Sequence, residues 1–340
     1  MNGYERIQAA LKGKPADKVP VMLHNFMLAA EEAGFNMEQF RNNPKVIADS
    51  FIRSVEKYHH DGILVDIDTV TLAGAVGVPV DFPAEAPART HLGKLANMEQ
   101  VRDLKPVKIE NYKYIQVWLE SVRLLKEHFK GEIFIRGNCD QDPFSLASMV
   151  RGIEDWMADL ILAEEQLVFD LLEYCTEATG QFIRLMAQTG ADMVSNGDSP
   201  AGPDLISPEM YERFALPFEK KIVDVAHSLG LPYTLHICGN TEAILDKMLL
   251  TGADAFELDY KTNAQKVFDA FHEKAALIGN IDPSGVLALG SADQVRNKTL
   301  ELLEIYGGTN RFVLNAGCAI PPSTPSINMK TMIDTARSYR

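Results

Sequence analysis

Residues 189–196 read TGADMVSN, and residues 251–258 read TGADAFEL. In both, Thr-Gly-Ala-Asp closes an amphipathic stretch and opens a short apolar one. A glycine there can take the left-handed conformation that ends a helix, which leaves the aspartate in the turn before a strand. His60-Asp61-Gly62 is a looser version of the same junction. Reading outward from these junctions gives eight short, mostly apolar runs. They are Val19–His24, Gly62–Asp66, Ile133–Gly137, Met193–Asn196, Tyr233–Ile237, Ala255–Leu258, Ala276–Gly279 and Arg311–Asn315. Such runs fit strands covered on both faces. Helical periodicity lies between them, over 154–188 (read as two helices), 208–229, 241–251, 264–274 and 292–306. Strands alternating with helices predict βαβ units and a parallel sheet.

Eight such units predict a (β/α)8 TIM barrel, with residues 1–340 as a single domain. A doubly wound open sheet is the alternative, but no G-x-G-x-x-G follows the first strand. Residues 76–107 carry no clear periodicity, and they read either as an excursion over one barrel mouth or as a plain surface insertion. The length of 340 residues, with 46% hydrophobic and 24% charged content, is ordinary for a barrel of this kind.

The formal net charge of −14 argues against nucleic acid or an anionic membrane as the main partner, because both need a basic footprint. The N-terminus lacks the apolar core of a signal peptide, and no run of residues is apolar enough to span a bilayer. The expected location is cytoplasmic. Cys139, Cys175, Cys238 and Cys318 are too few and too widely spaced for a disulfide framework. Cys175 lies in an apolar helical run and reads as core.

Active sites of such barrels lie at the C-terminal ends of the strands. There the sequence places His24, Asp66 and Asp68, then Asn138, Cys139, Asp140 and Asp142. Asp198, His236, Cys238, Glu257, Asp259, Asn280 and Cys318 complete the ring. His236 and Cys238, two apart at a strand end, point to the same side. Cys318, after the eighth strand, can approach them only across the mouth. Zinc prefers such a mixed nitrogen and thiolate set: three protein ligands with one open position is the catalytic pattern, and four closed ligands the structural one. A bare His-x-Cys is more often a buried histidine beside an inert thiol. The strand-end position and the third cysteine favour the metal. His24, Asn138, Cys139 and Asn280 are candidate substrate contacts, with a free buried thiol as the plainer reading of Cys139. Asp198 is a catalytic candidate, read as lining the pocket and orienting a ligand or a zinc-bound histidine, with a turn-holding role as the alternative.

The motifs are specific. Arg6–Pro20 reads R-x-x-x-A-L-x-G-x-x-x-D-x-V-P, Leu205–Tyr211 reads LISPEMY, and His236–Asn240 reads HICGN. Gly279–Pro283 reads GNIDP, and Gly317–Pro325 reads GCAIPPSTP. Over nearly its whole length the chain resembles the uroporphyrinogen decarboxylase superfamily. One branch of that superfamily decarboxylates uroporphyrinogen without a metal and carries an arginine-rich segment after the first strand. Residues 24–30 here read HNFMLAA and hold no arginine. The resemblance therefore points to the other branch, zinc-dependent methyltransferases working with a corrinoid protein. Its H-x-C…C zinc motif falls on His236, Cys238 and Cys318.

The resemblance implies zinc, a corrinoid carried by a partner protein, and a small methyl donor or thiol acceptor. Coenzyme M is the acceptor in the best-known members. Related methionine synthases add a glutamate, which implies Glu257 as a fourth ligand displaced by substrate, with Asp259 as its rival. The branch commonly has Glu-Asn where this chain has Ile327-Asn328. The motif leaves the direction of transfer open. A metal-free lyase predicts no zinc, and a non-catalytic module with a structural zinc predicts a closed site of four ligands.

Overall fold

The Thr-Gly-Ala-Asp junctions do more than turn the chain. Gly190 and Gly252 adopt φ of 82° and 81°, the left-handed values that a side chain resists. Each following aspartate then clamps the neighbouring strand. Asp192 Oδ2 accepts the Ile135 amide at 2.9 Å, and Asp254 Oδ2 accepts that of Tyr233 at 2.8 Å. Asp61, in the looser junction, accepts the Val21 amide at 2.8 Å. In all three the aspartate's own N–H donates back to the carbonyl of the same partner residue, at 2.8–3.0 Å. A carboxylate and an amide together thus set the register of adjacent strands.

The computed structural model describes residues 1–339. Eight parallel strands pair in chain order: β1 (Met22–Leu23), β2 (Gly62–Val65), β3 (Phe134–Gln141), β4 (Met193–Gly197), β5 (Tyr233–Ile237), β6 (Ala255–Leu258), β7 (Ala276–Ile281) and β8 (Phe312–Ala316). A parallel bridge between Val21 and Leu314 returns β8 to β1, and the Leu314 amide donates to the Pro20 carbonyl at 2.9 Å. The sheet closes into the expected TIM barrel, and the open-sheet alternative falls.

The expected helical stretch 154–188 is two helices, Ile153–Leu162 and Glu165–Ala187. The stretch 208–229 also divides in two, Pro208–Phe214 and Leu216–Ser228, with Pro217 in the first turn of the second. There proline's missing N–H costs no helical bond. None of the described helices is long and apolar enough to cross a membrane.

Alternate residues of each strand face the barrel interior. At the N-terminal end these are apolar. Met22, Phe134, Met193, Ala255, Ala276, Ile278 and Val313 pack together, and Ile7 and Ala10 of the first helix (Gly3–Leu11) plug the bottom. Higher up the same strands the inward residues become polar, as Phe134 gives way to Arg136 and Asn138 on β3. The stretch 76–107 forms a small antiparallel hairpin, Val80–Asp81 with Arg89–Thr90, and its Pro87 reaches the mouth. It is therefore an excursion over that mouth.

Candidate metal and substrate site

At the top of β5, His236 and Cys238 sit side by side, with His236 Nε2 2.9 Å from Cys238 Sγ. Cys318, in the loop after β8, places its sulfur 3.6 Å from that of Cys238. One donor atom from each of the three lies within 4.8 Å of the others. His236 Nδ1 is 2.9 Å from the Glu257 backbone carbonyl. With Nδ1 donating its proton there, Nε2 is the nitrogen that faces the sulfurs, and it would offer a lone pair to a cation that displaced its proton. The hydrogen bond from Cys318 and the positive His236 ring together pull Cys238 down to about 3, so it stands as a thiolate. Burial alone would lower His236, but the Cys238 thiolate and Glu257 raise it to about 10. One nitrogen and two sulfurs, close together and one already ionised, fit a zinc ion.

Gly317 is what lets Cys318 approach. A Cβ on it would lie 2.5 Å from the Tyr260 backbone nitrogen, a contact that rigid backbone cannot relieve.

The donors open on a cavity of about 310 Å³. Its wall holds a chain of charges. Arg136 Nη1 bonds Glu257 Oε2, and Glu257 Oε1 lies 3.2 Å from His24 Nδ1. His24 Nε2 is 2.8 Å from Asp66 Oδ2, and Asp66 Oδ1 accepts from Asn138 Nδ2 at 3.0 Å. Burial works against both charges of the central pair. Even so, Arg136 and His24 hold the Glu257 carboxyl well below the usual carboxylate range. Asp66 and Glu257 in turn raise His24 to about 9. Near neutral pH the chain alternates cation and anion.

The sequence-predicted residues divide accordingly. His236, Cys238, Cys318, Glu257, His24 and Asn138 all line the cavity. Glu257 is not within the donor cluster, and both its oxygens are engaged by Arg136 and His24. Its rival Asp259 braces the loop after β5 instead, accepting the Gly239 amide at 2.9 Å.

Three residues expected as cavity contacts lie outside it: Asp198 and Cys139 take their plainer readings, a turn-holding carboxylate and a buried thiol, and Asn280 is a correction. Asp198 is fully buried outside the cavity, and its Oδ1 accepts the amide and hydroxyl of Ser145 at 2.7 and 2.6 Å. It holds the first turn of the helix Pro143–Arg151. Cys139 faces the apolar core, out of phase with the inward Arg136 and Asn138, and the pairing of β3 with β4 shifts register just beyond Asn138. Asp140, at φ 65°, and Gln141 turn into the cavity in its place. Asn280 is tied by its side-chain nitrogen to the carbonyls of Asp259 and Thr262. Arg136 was missed in the sequence, where it appears as one charge in the apolar run IFIRG. Its inward phase on β3 was the available signal.

The URO-D (uroporphyrinogen decarboxylase) family model matches residues 2–339. The chain belongs to the URO-D family. Among URO-D relatives, the methylcobamide:CoM methyltransferase MtbA of Methanosarcina acetivorans is 30% identical, the alignment covering 99% of this chain and 98% of that protein. MtbA of Methanosarcina mazei is 31% identical with the same coverage. A uroporphyrinogen decarboxylase of a Synechococcus strain is 26% identical, over 98% of this chain and 97% of its own. The solved structure of a methyltransferase from Methanosarcina mazei superposes with a TM-score of 0.89 at 26% identity, covering 99% of this chain and 98% of its own.

Proposed function

We propose that this URO-D family member is a zinc-dependent methyltransferase, acting as one barrel domain, that moves a methyl group between the corrinoid of a partner protein and a small thiol. The observation that carries the reading is the convergence of His236, Cys238 and Cys318 at the mouth of a cavity, in a chain whose relatives at about 30% identity are named methylcobamide:CoM methyltransferases. Unprotected thiolate ligands need reducing surroundings, so the reading places the enzyme in the cytoplasm.

His236, Cys238 and Cys318 would hold the ion. Zinc bound there supplies Lewis acidity that lowers the pKa of a small thiol and favours its nucleophilic form. The chain's own residues do the rest. The Glu257 carbonyl fixes the His236 ring, and Gly317 lets Cys318 approach. The Arg136–Glu257–His24–Asp66 chain keeps the cavity wall rigid while one side stays open to the corrinoid. An in-line methyl transfer depends on such positioning.

The test is elemental analysis of protein purified without chelators, followed by incubation with methylcobalamin and small thiols. About one zinc per chain and a methylated thiol are expected. Metal-free wild-type protein would sink the reading and return a metal-free lyase to first place.

Gly317→Ala provides a second check. The added methyl must push the Cys318 loop away from Tyr260. Zinc affinity, measured by competition with a chromophoric chelator, is expected to fall about 10- to 100-fold, the usual cost of disturbing what orients a ligand. Unchanged affinity would mean that the loop accommodates the methyl without moving its sulfur.

A further inference from the structure

The cavity wall holds more carboxyl groups than its own cations match, and burial pushes both of the unmatched ones, Asp68 and Asp140, up from the usual carboxylate range. Arg136 and His24 are the lysine-, arginine- or histidine-type cations in it besides the His236 ligand, and they are paired with Glu257 and Asp66. That leaves Asp68 and Asp140, both about 1% exposed and both lining the cavity. Asp140 is engaged at both oxygens, by the Leu72 amide at 2.6 Å and the Gln141 side chain at 3.1 Å. Asp68 is not. Its Oδ1 accepts from Val70 N, Thr71 N and Thr71 Oγ1 at 2.9–3.0 Å, while its Oδ2 is buried with no partner.

A buried carboxylate oxygen without a donor costs roughly 1–3 kcal/mol or more, so an orphan oxygen on a residue that lines a cavity marks a place that a ligand's N–H group can complete. Burial raises the Asp68 carboxyl and the charge of Arg41 offsets this only in part; both terminal nitrogens of Arg41 bond the Pro83 and Ala86 carbonyls, its Nε has no partner, and it does not line the cavity. Arg136 has an unpartnered Nε of its own, but an anion recruited to that guanidinium would have to compete with Glu257.

We propose that the small substrate of this barrel carries an ammonium or comparable N–H donor group that seats on Asp68 Oδ2, its sulfur lying at the donors across the mouth. The head group is cationic rather than the anionic sulfonate of coenzyme M. This inference rests on the methyl-transfer reading and names the substrate class of that site.

The zinc-loaded protein is titrated calorimetrically with three thiols of equal length: cysteamine, 2-mercaptoethanol and coenzyme M. The three-carbon set is titrated in parallel so that reach does not decide the result. Their S-methyl thioethers, which have no ionisable thiol, separate head-group recognition from thiol acidity. Asp68→Asn is the variant, because asparagine keeps the Oδ1 acceptor for the turn at Val70 and Thr71. The aminothiol and its thioether are expected to bind at least about tenfold more tightly than the sulfonates, the range for a hydrogen bond to a charged group. In Asp68→Asn that ratio should shrink at least about fivefold. A ratio under tenfold in the wild type overturns the proposal, as does a ratio that Asp68→Asn leaves in place. If the variant does not fold, the wild-type thioether ratio decides. Turnover with methylcobalamin is scored separately. Methylation that favours coenzyme M sinks the head-group inference alone, and absence of any thiol methylation sinks the transfer reading.

Discussion

Replacing Cys238 with alanine is expected to strip zinc from a barrel that stays folded and to cut methyl transfer by at least about a thousandfold, or roughly 4 kcal/mol of transition-state stabilisation. Cys238 is the ionised member of the thiol pair and lies in contact distance of both other donors, 2.9 Å from His236 Nε2 and 3.6 Å from Cys318 Sγ. Its loss removes the negative charge that draws a cation to the cluster. The fold does not depend on it. The strands are registered by the Asp61, Asp192 and Asp254 clamps, and the barrel interior is filled by apolar side chains far below the mouth. Elemental analysis, circular dichroism and the methylcobalamin assay on one preparation test all three parts. A variant that kept stoichiometric zinc and more than a tenth of the activity would remove Cys238 from the ligand set. One that unfolded on losing the metal would favour a structural zinc.

Arg136→Met is expected to be the most destabilising single change around the cavity, costing about 3–5 kcal/mol. Arg136 and Glu257 are both essentially fully buried, and the arginine is the main source of attraction that keeps the glutamate ionised. Without it a carboxylate is left deep in the barrel with only the His24 and His236 rings to offset its charge. Urea unfolding should show a lower midpoint with an unchanged slope. Combining Arg136→Met with Glu257→Leu should recover at least half of the loss, because removing both members of a buried pair is far cheaper than removing one. A loss below about 1 kcal/mol in the single variant would mean that water already reaches the pair.

Which of these groups could be read from sequence follows from strand geometry. The eight apolar runs were legible because a strand buried on both faces has no other composition open to it. Their ends were less so. The run from Val19 shortens to Met22–Leu23 plus the bridge at Val21, since Pro20 has no N–H to pair. β3 continues to Gln141 through polar residues that carry no strand signal. His236 and Cys238 were legible because histidine and cysteine two apart at a strand end are chemically conspicuous. For Cys139 and Asp198 the sequence leaves two readings open, because a place at the strand end does not decide the face, and the structure selects the buried thiol and the turn-holding acid. On β3 the inward positions are Phe134, Arg136 and Asn138, so Cys139 is out of phase. Just past the end of β4, Asp198 turns away from the cavity to bond the Ser145 amide and hydroxyl. The same β3 parity would have exposed Arg136. The partner of Glu257 lies 121 residues away in sequence and becomes visible only once the barrel closes.

The separation of the proposed zinc donors along the chain has a consequence during synthesis. Cys318 follows Cys238 by 80 residues, beyond β8, whose Leu314 meets Val21 at the seam. At the usual ribosomal rate of about 5–20 residues per second, His236 and Cys238 wait roughly 4–16 s for their third partner. Through that interval the nascent protein exposes a half-built chelate that any soft metal or oxidant can reach. Only the arrival of the final strand, which seals the seam, and of the cysteine just beyond it turns the pair into a site.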